Sequence, residues 1–378
     1  MSRSVIRILP AGPEDEAELR ALLRAQSMPG WIRLCFEREP DYFAASNIEG
    51  ERHDVLLARR YGTVDRTAPL IAICALAVRR VFVNGERQRL GYVGQFRTLG
   101  SEGSGWRGYR LLRQGFEAVQ GLHRDDELPY DITSILSDND AARRLLSAGL
   151  KGMPAYHRVE QLNTLVYRCG GRSDGKAGTE VEPGSKVGLA AIADCLQRNY
   201  RRYQFAPVWD EVALTVSGLR AEDFLVISEG AKVSACVALW DQRPVRQMLV
   251  RGYRRPIGWF RPLINLAAPS LGMPALPRPG ETLRQAWLSH LACDRDDPEA
   301  LAVLLPAALA RAGQLGLEQL FLGLGDRHPL LAAACGARRH LVYRSDIYLV
   351  HWPGSDAPGQ EGYEQLMSRP VLLEAATL

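Results

Sequence analysis

The chain has 378 residues, of which 46% are hydrophobic and 24% charged. That excludes wholesale disorder and fibrous architectures, and the length suits two cores rather than one. A formal net charge of +4, from 47 Lys and Arg against 43 Asp and Glu, is too small for a dedicated nucleic-acid binder. Apolar runs such as 70–78 fall far short of the roughly 18 residues of a membrane span, so no membrane partner is expected. The first residues lack an apolar signal core, and the seven cysteines are scattered with no Cys-x-x-Cys pair. Both point to a cytoplasmic chain with reduced thiols and no metal site.

In chain order, 5–9 reads as a strand and 14–26 as a helix with Ala17, Leu19, Leu22 and Leu23 on one side. Strands follow at 55–59, 70–78 and 90–99, the last two divided by Asn84-Gly85, a dipeptide that favours the tight hairpin turn. A helix at 106–121 carries Tyr109, Leu112, Phe116 and Val119 at helical spacing. A strand at 132–136, a short helix at 140–148 and a strand at 162–167 complete this half. The glycine-rich stretch 168–185 has no periodic apolar residues and reads as a linker. The second half repeats the plan: helix 189–200, strands 224–228, 232–240 and 285–292, helix 298–315 and strand 319–323. Asn139, Gly149 and Tyr156 match Asp326, Gly336 and Tyr343 at one constant spacing. A capped helix with a Gly stop is common in α/β proteins, so the shared order of elements carries more of the inference. A duplication is predicted, with units at 1–167 and 186–352, a linker at 168–185 and a tail at 353–378.

The chemistry-bearing segment runs from Gly91 to Leu112 as a strand, a glycine-rich turn and a helix start. Backbone N–H groups in a first helical turn have no internal partners, and the helix dipole adds partial positive charge, which together favour a phosphate. Glycines let the backbone approach, and Arg107 and Arg110 add charge. Most such turns merely turn the chain, so further residues must carry the inference.

With the sequence Ser137-Asp138-Asn139-Asp140-Ala141-Ala142-Arg143-Arg144-Leu145-Leu146-Ser147-Ala148-Gly149 after the next strand, the order of elements resembles the GNAT (Gcn5-related N-acetyltransferase) superfamily over about 4–167. A fainter echo covers about 186–352. The resemblance implies an α/β (α+β) fold of two tandem GNAT-like units, each a mixed, mainly antiparallel sheet flanked by helices. It also implies transfer of an acyl group, first of all acetyl from acetyl-CoA, to an amine by direct attack. The positions matching the family's pantetheine strand are Phe96, Arg97, Thr98 and Leu99. Those matching its pyrophosphate turn are Gly103, Ser104, Gly105, Trp106, Arg107, Gly108 and Tyr109, and Asn139 matches its cofactor-facing Asn. Two departures stand out: the turn has a variant spelling, and the family's Tyr after that Asn is replaced by Leu145-Leu146. Tyr156 is then the substitute proton donor.

In the second half the corresponding turn reads Ala292-Cys293-Asp294-Arg295-Asp296-Asp297-Pro298-Glu299, whose acidic groups would repel pyrophosphate. An amine acceptor also needs a base near working pH. Gln95 on the cofactor strand cannot serve, which leaves Glu102, His123 and His290, each more ordinarily a solvated or hydrogen-bonded residue. The aromatic and basic run 199–209 reads chiefly as packing by Tyr200, Tyr203 and Trp209. The Pro- and Arg-rich stretch 250–281 exceeds a normal connection and reads as a cover or a packing insertion. The acceptor is an amine on a small molecule, peptide or protein. Two other functions stay open: a transferase using an aminoacyl-tRNA or carrier-protein thioester, and a non-catalytic CoA- or ligand-binding module.

Overall fold

The computed structural model describes residues 5–27, 32–61, 68–99, 105–146, 148–170, 181–230, 232–268, 275–356 and 360–378, with the side chains of 105–107 and 360 outside that description. Glu102, Gly103 and Ser104 therefore lie outside the described residues, as do the side chains of Gly105, Trp106 and Arg107.

The first half comprises β1 (Val5–Pro10), α1 (Glu16–Ala25), β2 (Ile32–Glu37), α2 (Ser46–Glu49), β3 (Arg52–Tyr61), β4 (Leu70–Val83), β5 (Glu86–Thr98), α3 (Gly105–Gln120), β6 (Glu127–Leu136), α4 (Asp140–Leu146) and β7 (Ala155–Arg168). β4 is apolar along nearly its whole length because it is covered on both faces. It ends in a turn where Asn84 and Gly85 both take positive φ, as the sequence required. The second half comprises β8 (Glu182–Pro183), α5 (Gly188–Tyr200), β9 (Ala206–Pro207), α6 (Glu211–Val216), β10 (Phe224–Glu229), β11 (Lys232–Trp240), β12 (Gln247–Tyr253), α7 (Ile257–Ala267), β13 (Gln285–Cys293), α8 (Pro298–Gln314), β14 (Gln319–Gly325), α9 (Leu331–Ala337), β15 (His340–His351) and α10 (Gln360–Met367). α8 starts where the side chain of Asp297 accepts from the N–H of Glu299 and Pro298 fills the first turn. It buries Leu301, Leu304, Leu305, Ala308, Leu309 and Ala312.

The two halves do not make separate sheets. Among the described residues one 13-stranded sheet runs β1-β3-β4-β5-β6-β15-β7-β14-β13-β11-β10-β8, with β9 pairing off its path on β4. The last strands are exchanged: β15 lies between β6 and β7, and β7 pairs β14. Among the described strand pairs, β5–β6 and β13–β14 are the parallel ones. Neither the exchange nor the length of β7 follows from local periodicity: β7 starts at Ala155 rather than 162, which places Tyr156 on a strand. The stretch read as a linker is also trimmed, since Arg168 closes β7 and Glu182–Pro183 pairs with β10.

A second, two-stranded sheet joins the halves again, pairing β2 with β12. It packs over Val166 and Phe321 of the large sheet. α1, α5 and this small sheet lie on one face, and α3 and α8 on the other. At the seam the buried carboxylate of Asp131 on β6 accepts from Trp352 Nε1 at 2.8 Å, and His123 Nε2 lies 2.9 Å away.

Because β15 is shared, both halves should unfold together. Leu349 on β15 is fully buried, and Leu349→Ala is expected to cost about 2–5 kcal/mol. Calorimetric unfolding should show one transition displaced as a whole, and two separated transitions would contradict the shared sheet.

Candidate active site

β5 and β6 run side by side from Arg89 and Glu127 as far as Tyr92 and Ile132, and there their pairing stops. β5 continues to Thr98 and β6 to Leu136, so the parallel strands part toward the N-terminus of α3. The parting is framed by two side-chain bridges: Thr133 Oγ1 donates to the Val93 carbonyl at 2.7 Å, and the Tyr92 hydroxyl lies 2.8 Å from Ser134 Oγ.

At the same level β5 bulges. Ala75 pairs Gly94 and Ile73 pairs Arg97, so Gln95 and Phe96 together oppose Cys74, and Gln95 has φ 55°. A non-glycine residue in this region costs roughly 1–3 kcal/mol and persists only where its surroundings fix it. Here they do: the Tyr42 hydroxyl donates to Gln95 Oε1 at 2.8 Å, and Gln95 Nε2 donates to Glu49 at 3.1 Å.

Glu49 is the hub on the α1–α2 face and was not singled out in the sequence. It is 6% exposed, pairs with Arg38, has His53 Nε2 at 2.5 Å and Arg246 at 3.9 Å. Burial alone would raise its pKa, but the charge of Arg38, the bond from His53 and the charge of Arg246 outweigh that and bring it down to about 2. Ser46 Oγ lies 3.3 Å from the other ring nitrogen of His53. Nothing in the run Ser46-Asn47-Ile48-Glu49-Gly50-Glu51-Arg52-His53 announces this. Only the fold brings Arg38, Gln95 and Arg246 to Glu49.

On the α3 face Phe96 packs on Phe116 at 5.2 Å between ring centres, and Phe116 on Tyr156 at 6.3 Å. Tyr156 belongs to the same cluster as Cys74 and Val93. Its hydroxyl is buried with no hydrogen-bond partner among the described residues, and burial pushes its pKa well up. The structure thus joins two sequence candidates, Phe96 and Tyr156, at the bulge. Thr98 also lies on β5, its carbonyl held by Gln26 Nε2 at 2.6 Å, and the N–H of Leu99 donates to Ile71. Arg97 sits on the α1 side, where burial lowers its pKa and Tyr42 partly offsets that.

Other candidates fall elsewhere. Asn139 is exposed and caps α4, its Oδ1 accepting from the N–H of Ala142 at 3.2 Å. Tyr109 donates from its hydroxyl to the Lys151 carbonyl, and Gly108 is buried in the first turn of α3. His123 is bound on both ring nitrogens, by Asp131 and by the Gln120 carbonyl, below the parting of the strands. Burial lowers its pKa, but Asp131 more than reverses this.

His290 occupies the matching bulge of the second half, with φ 55° and a register shift between Cys236 and Ala238. It is fully buried among Trp209, Phe224 and Trp240, and burial, helped by the charge of Arg79, lowers its pKa to about 3. β13 and β14 also part, after Leu288 and Leu322, but the chain's own tail fills the space. Glu374 Oε2 accepts from the N–H of His290 at 2.8 Å, and Ala375 lies so close that a Cβ on Gly323 would come within 2.2 Å of it.

The acidic turn expected to repel phosphate is internally engaged. Asp294 takes bonds from Arg198 and Asn199, Asp296 from Arg202 and Tyr203, and Asp297 caps α8. Occupancy by the tail, rather than bare negative charge, separates this half from the first. Tyr200, Tyr203 and Trp209 are all buried, as the packing reading of 199–209 held.

No protein-family model and no curated protein matches the sequence. The fold does match solved structures. A GCN5-related N-acetyltransferase from Sphaerobacter thermophilus is 13% identical, with a TM-score of 0.55 over 93% of this chain and 98% of that one. N-Myristoyltransferase from Saccharomyces cerevisiae, solved with bound myristoyl-CoA, is 10% identical, with a TM-score of 0.60 over 97% of this chain and 89% of that one. A second structure of the yeast enzyme, with myristoyl-CoA and inhibitors, gives 0.58. The chain therefore has the tandem GNAT fold, spread over nearly its whole length.

Glu49 gives this site a pH signature. A carboxylate held at about 2 in the folded state, against 4.5 as a reference, contributes stability that is complete above about pH 4.5. The contribution is on the order of 3 kcal/mol and is lost as pH falls toward 2. Urea unfolding between pH 6 and pH 3 should show the loss, and Glu49→Gln should flatten that part of the profile while lowering stability at pH 6.

Proposed function

We propose that the chain is an acyl-CoA-dependent N-acyltransferase, acting at the parting of β5 and β6 in its first half. The observation that carries this is the bulge at Gln95 and Phe96 beside that parting, with the buried hydroxyl of Tyr156, which has no hydrogen-bond partner among the described residues, on one side and the Glu49 hub on the other. A bulge takes one residue out of the ladder, so its backbone groups are available to something other than β4. The fold shared with an N-acetyltransferase and an N-myristoyltransferase supports the same reading.

The residues present fit such a donor. Of the positions Phe96, Arg97, Thr98 and Leu99, the bulged Phe96 offers main-chain groups for an extended amide arm, while the Thr98 carbonyl and the Leu99 N–H are taken by Gln26 and Ile71; the start of α3, from Gly105 through Tyr109, has no acidic residue in its first turn to oppose a pyrophosphate. The bound donor supplies a thioester carbonyl open to a neutral amine. A backbone N–H at the bulge polarises that carbonyl. Tyr156, kept protonated by burial, would give its proton to the sulfur as the C–N bond forms and the C–S bond breaks, and the proton lost by the amine nitrogen would restore the phenol, so that CoA leaves as the thiol. On the opposite face Gln95 cannot take a proton, and Glu49 is already paired. Both position the acceptor side, Glu49 by fixing the Gln95 amide between itself and Tyr42.

Acetyl is the first acyl group to test, and amines of small molecules, peptides and proteins are the acceptor classes. The alternative of an aminoacyl-tRNA donor drew on arginines of the second half. Arg198 and Arg202 are engaged by Asp294 and Asp296, which removes part of that support.

Steady-state release of CoA from an acyl-length series over an amine panel tests the proposal. Tyr156→Phe should reduce kcat about 100-fold or more with little change in KM. Thermal shift by acyl-CoA without turnover of any amine would favour a binding module, and no shift by any CoA species would refute the reading.

A further inference from the structure

α7 buries none of its residues, and its exposed positions include large apolar ones. Trp259, Phe260, Leu263 and Leu266 are 71%, 53%, 62% and 80% exposed. At helical spacing they occupy one arc of about 120°, a continuous apolar face. The opposite side is the anchored one: Arg261 Nη1 and Asn265 Nδ2 donate to the Leu276 carbonyl at 3.1 and 3.0 Å, and the N–H of Leu276 donates to Asn265 Oδ1 at 2.7 Å. The polar edge thus ties the helix down, and the apolar edge faces outward. A patch of this kind on a soluble surface marks an interaction site rather than ordinary scatter.

Charge selects the occupant. From Val250 to Gly280 the chain has five arginines and no Asp or Glu. Arg251 pairs with Glu37, and Arg254 and Arg255 are solvent-exposed at the foot of the helix, with Arg255 lying 5.3 Å from the centre of the Trp259 ring. In a symmetric contact with a second copy the same arginines would meet, with no carboxylate in the segment to offset them. An anionic bilayer surface offers both requirements at once: acyl chains for the aromatic and leucine face, and phosphate groups for the arginines beside it.

We propose that α7 is a membrane-surface helix, by which the chain docks on anionic lipid bilayers without crossing them. The sequence-based expectation of no membrane partner rested on the shortness of apolar runs. That criterion tests for spans, and indeed no helix among the described residues is long and apolar enough to cross a membrane. A helix lying in the interface needs only one apolar face.

The full chain should float with vesicles of phosphatidylglycerol and phosphatidylcholine, and much less with phosphatidylcholine alone or at high salt. Leu263→Asp with Leu266→Asp changes only exposed positions, so the melting temperature should be kept while partition falls about tenfold or more. Arg254→Glu with Arg255→Glu should remove the preference for anionic lipid. No flotation with anionic vesicles, or flotation indifferent to the paired Leu substitutions, would overturn the proposal. So would light scattering that showed a dimer lost in the Leu263→Asp, Leu266→Asp variant in the absence of vesicle binding.

Discussion

The exchange of last strands governs this molecule. β15, the last strand of the second half, is hydrogen-bonded to β6 on one side and β7 on the other, so neither half closes its sheet from its own residues. The exchange also dictates the course of the tail. At His351 the chain leaves β15 beside Tyr130 of the first half and returns across the sheet through α10. Glu160 on β7 receives it, accepting from the N–H of Val371 at 2.9 Å and from Arg327. Residues 371–377 are then laid into the parting of β13 and β14, where all are buried.

One backbone device thereby acquires two surroundings. Gln95 and His290 are both non-glycine residues at positive φ, both at a register shift, both on the strand that parts from its parallel neighbour. Around Gln95 are hydrogen-bonding groups, Tyr42 and Glu49, with the buried hydroxyl of Tyr156 across the strand. Around His290 are aromatic rings and the chain's own Glu374, which burial raises to a pKa of about 7 against the pull of its bonds to backbone N–H groups. The two surroundings touch through Arg79. It donates to the Glu49 carbonyl and, at 2.7 Å, to Thr377 Oγ1. The tail that fills the second parting thus also braces the hub of the first.

What could be read from the sequence was what depends on near neighbours. The apolar spacing of α1, α3 and α8, the Asn84-Gly85 turn and the order of elements in each half all follow from local periodicity and turn chemistry. The resemblance carried by the strand, turn and helix around 91–112 led to the fold that the solved structures share. What could not be read depends on partners far along the chain. Glu49 meets Gln95 only because β5 bulges, and meets Arg246 only because β12 pairs β2. The acidic turn 294–297 looked like repulsive charge because Arg198 and Arg202, which absorb it, are a hundred residues away in the chain's order. α7 carried its signal openly, in an apolar face with arginines and no acid, but a search for spans passes over it.

The central claim is one acyl-CoA site per chain, in the first half, with the second half's counterpart closed by 371–377. Isothermal titration of the full chain with a non-hydrolysable acyl-CoA analogue measures this directly. The account predicts a stoichiometry of one. Two sites, or none, would contradict it.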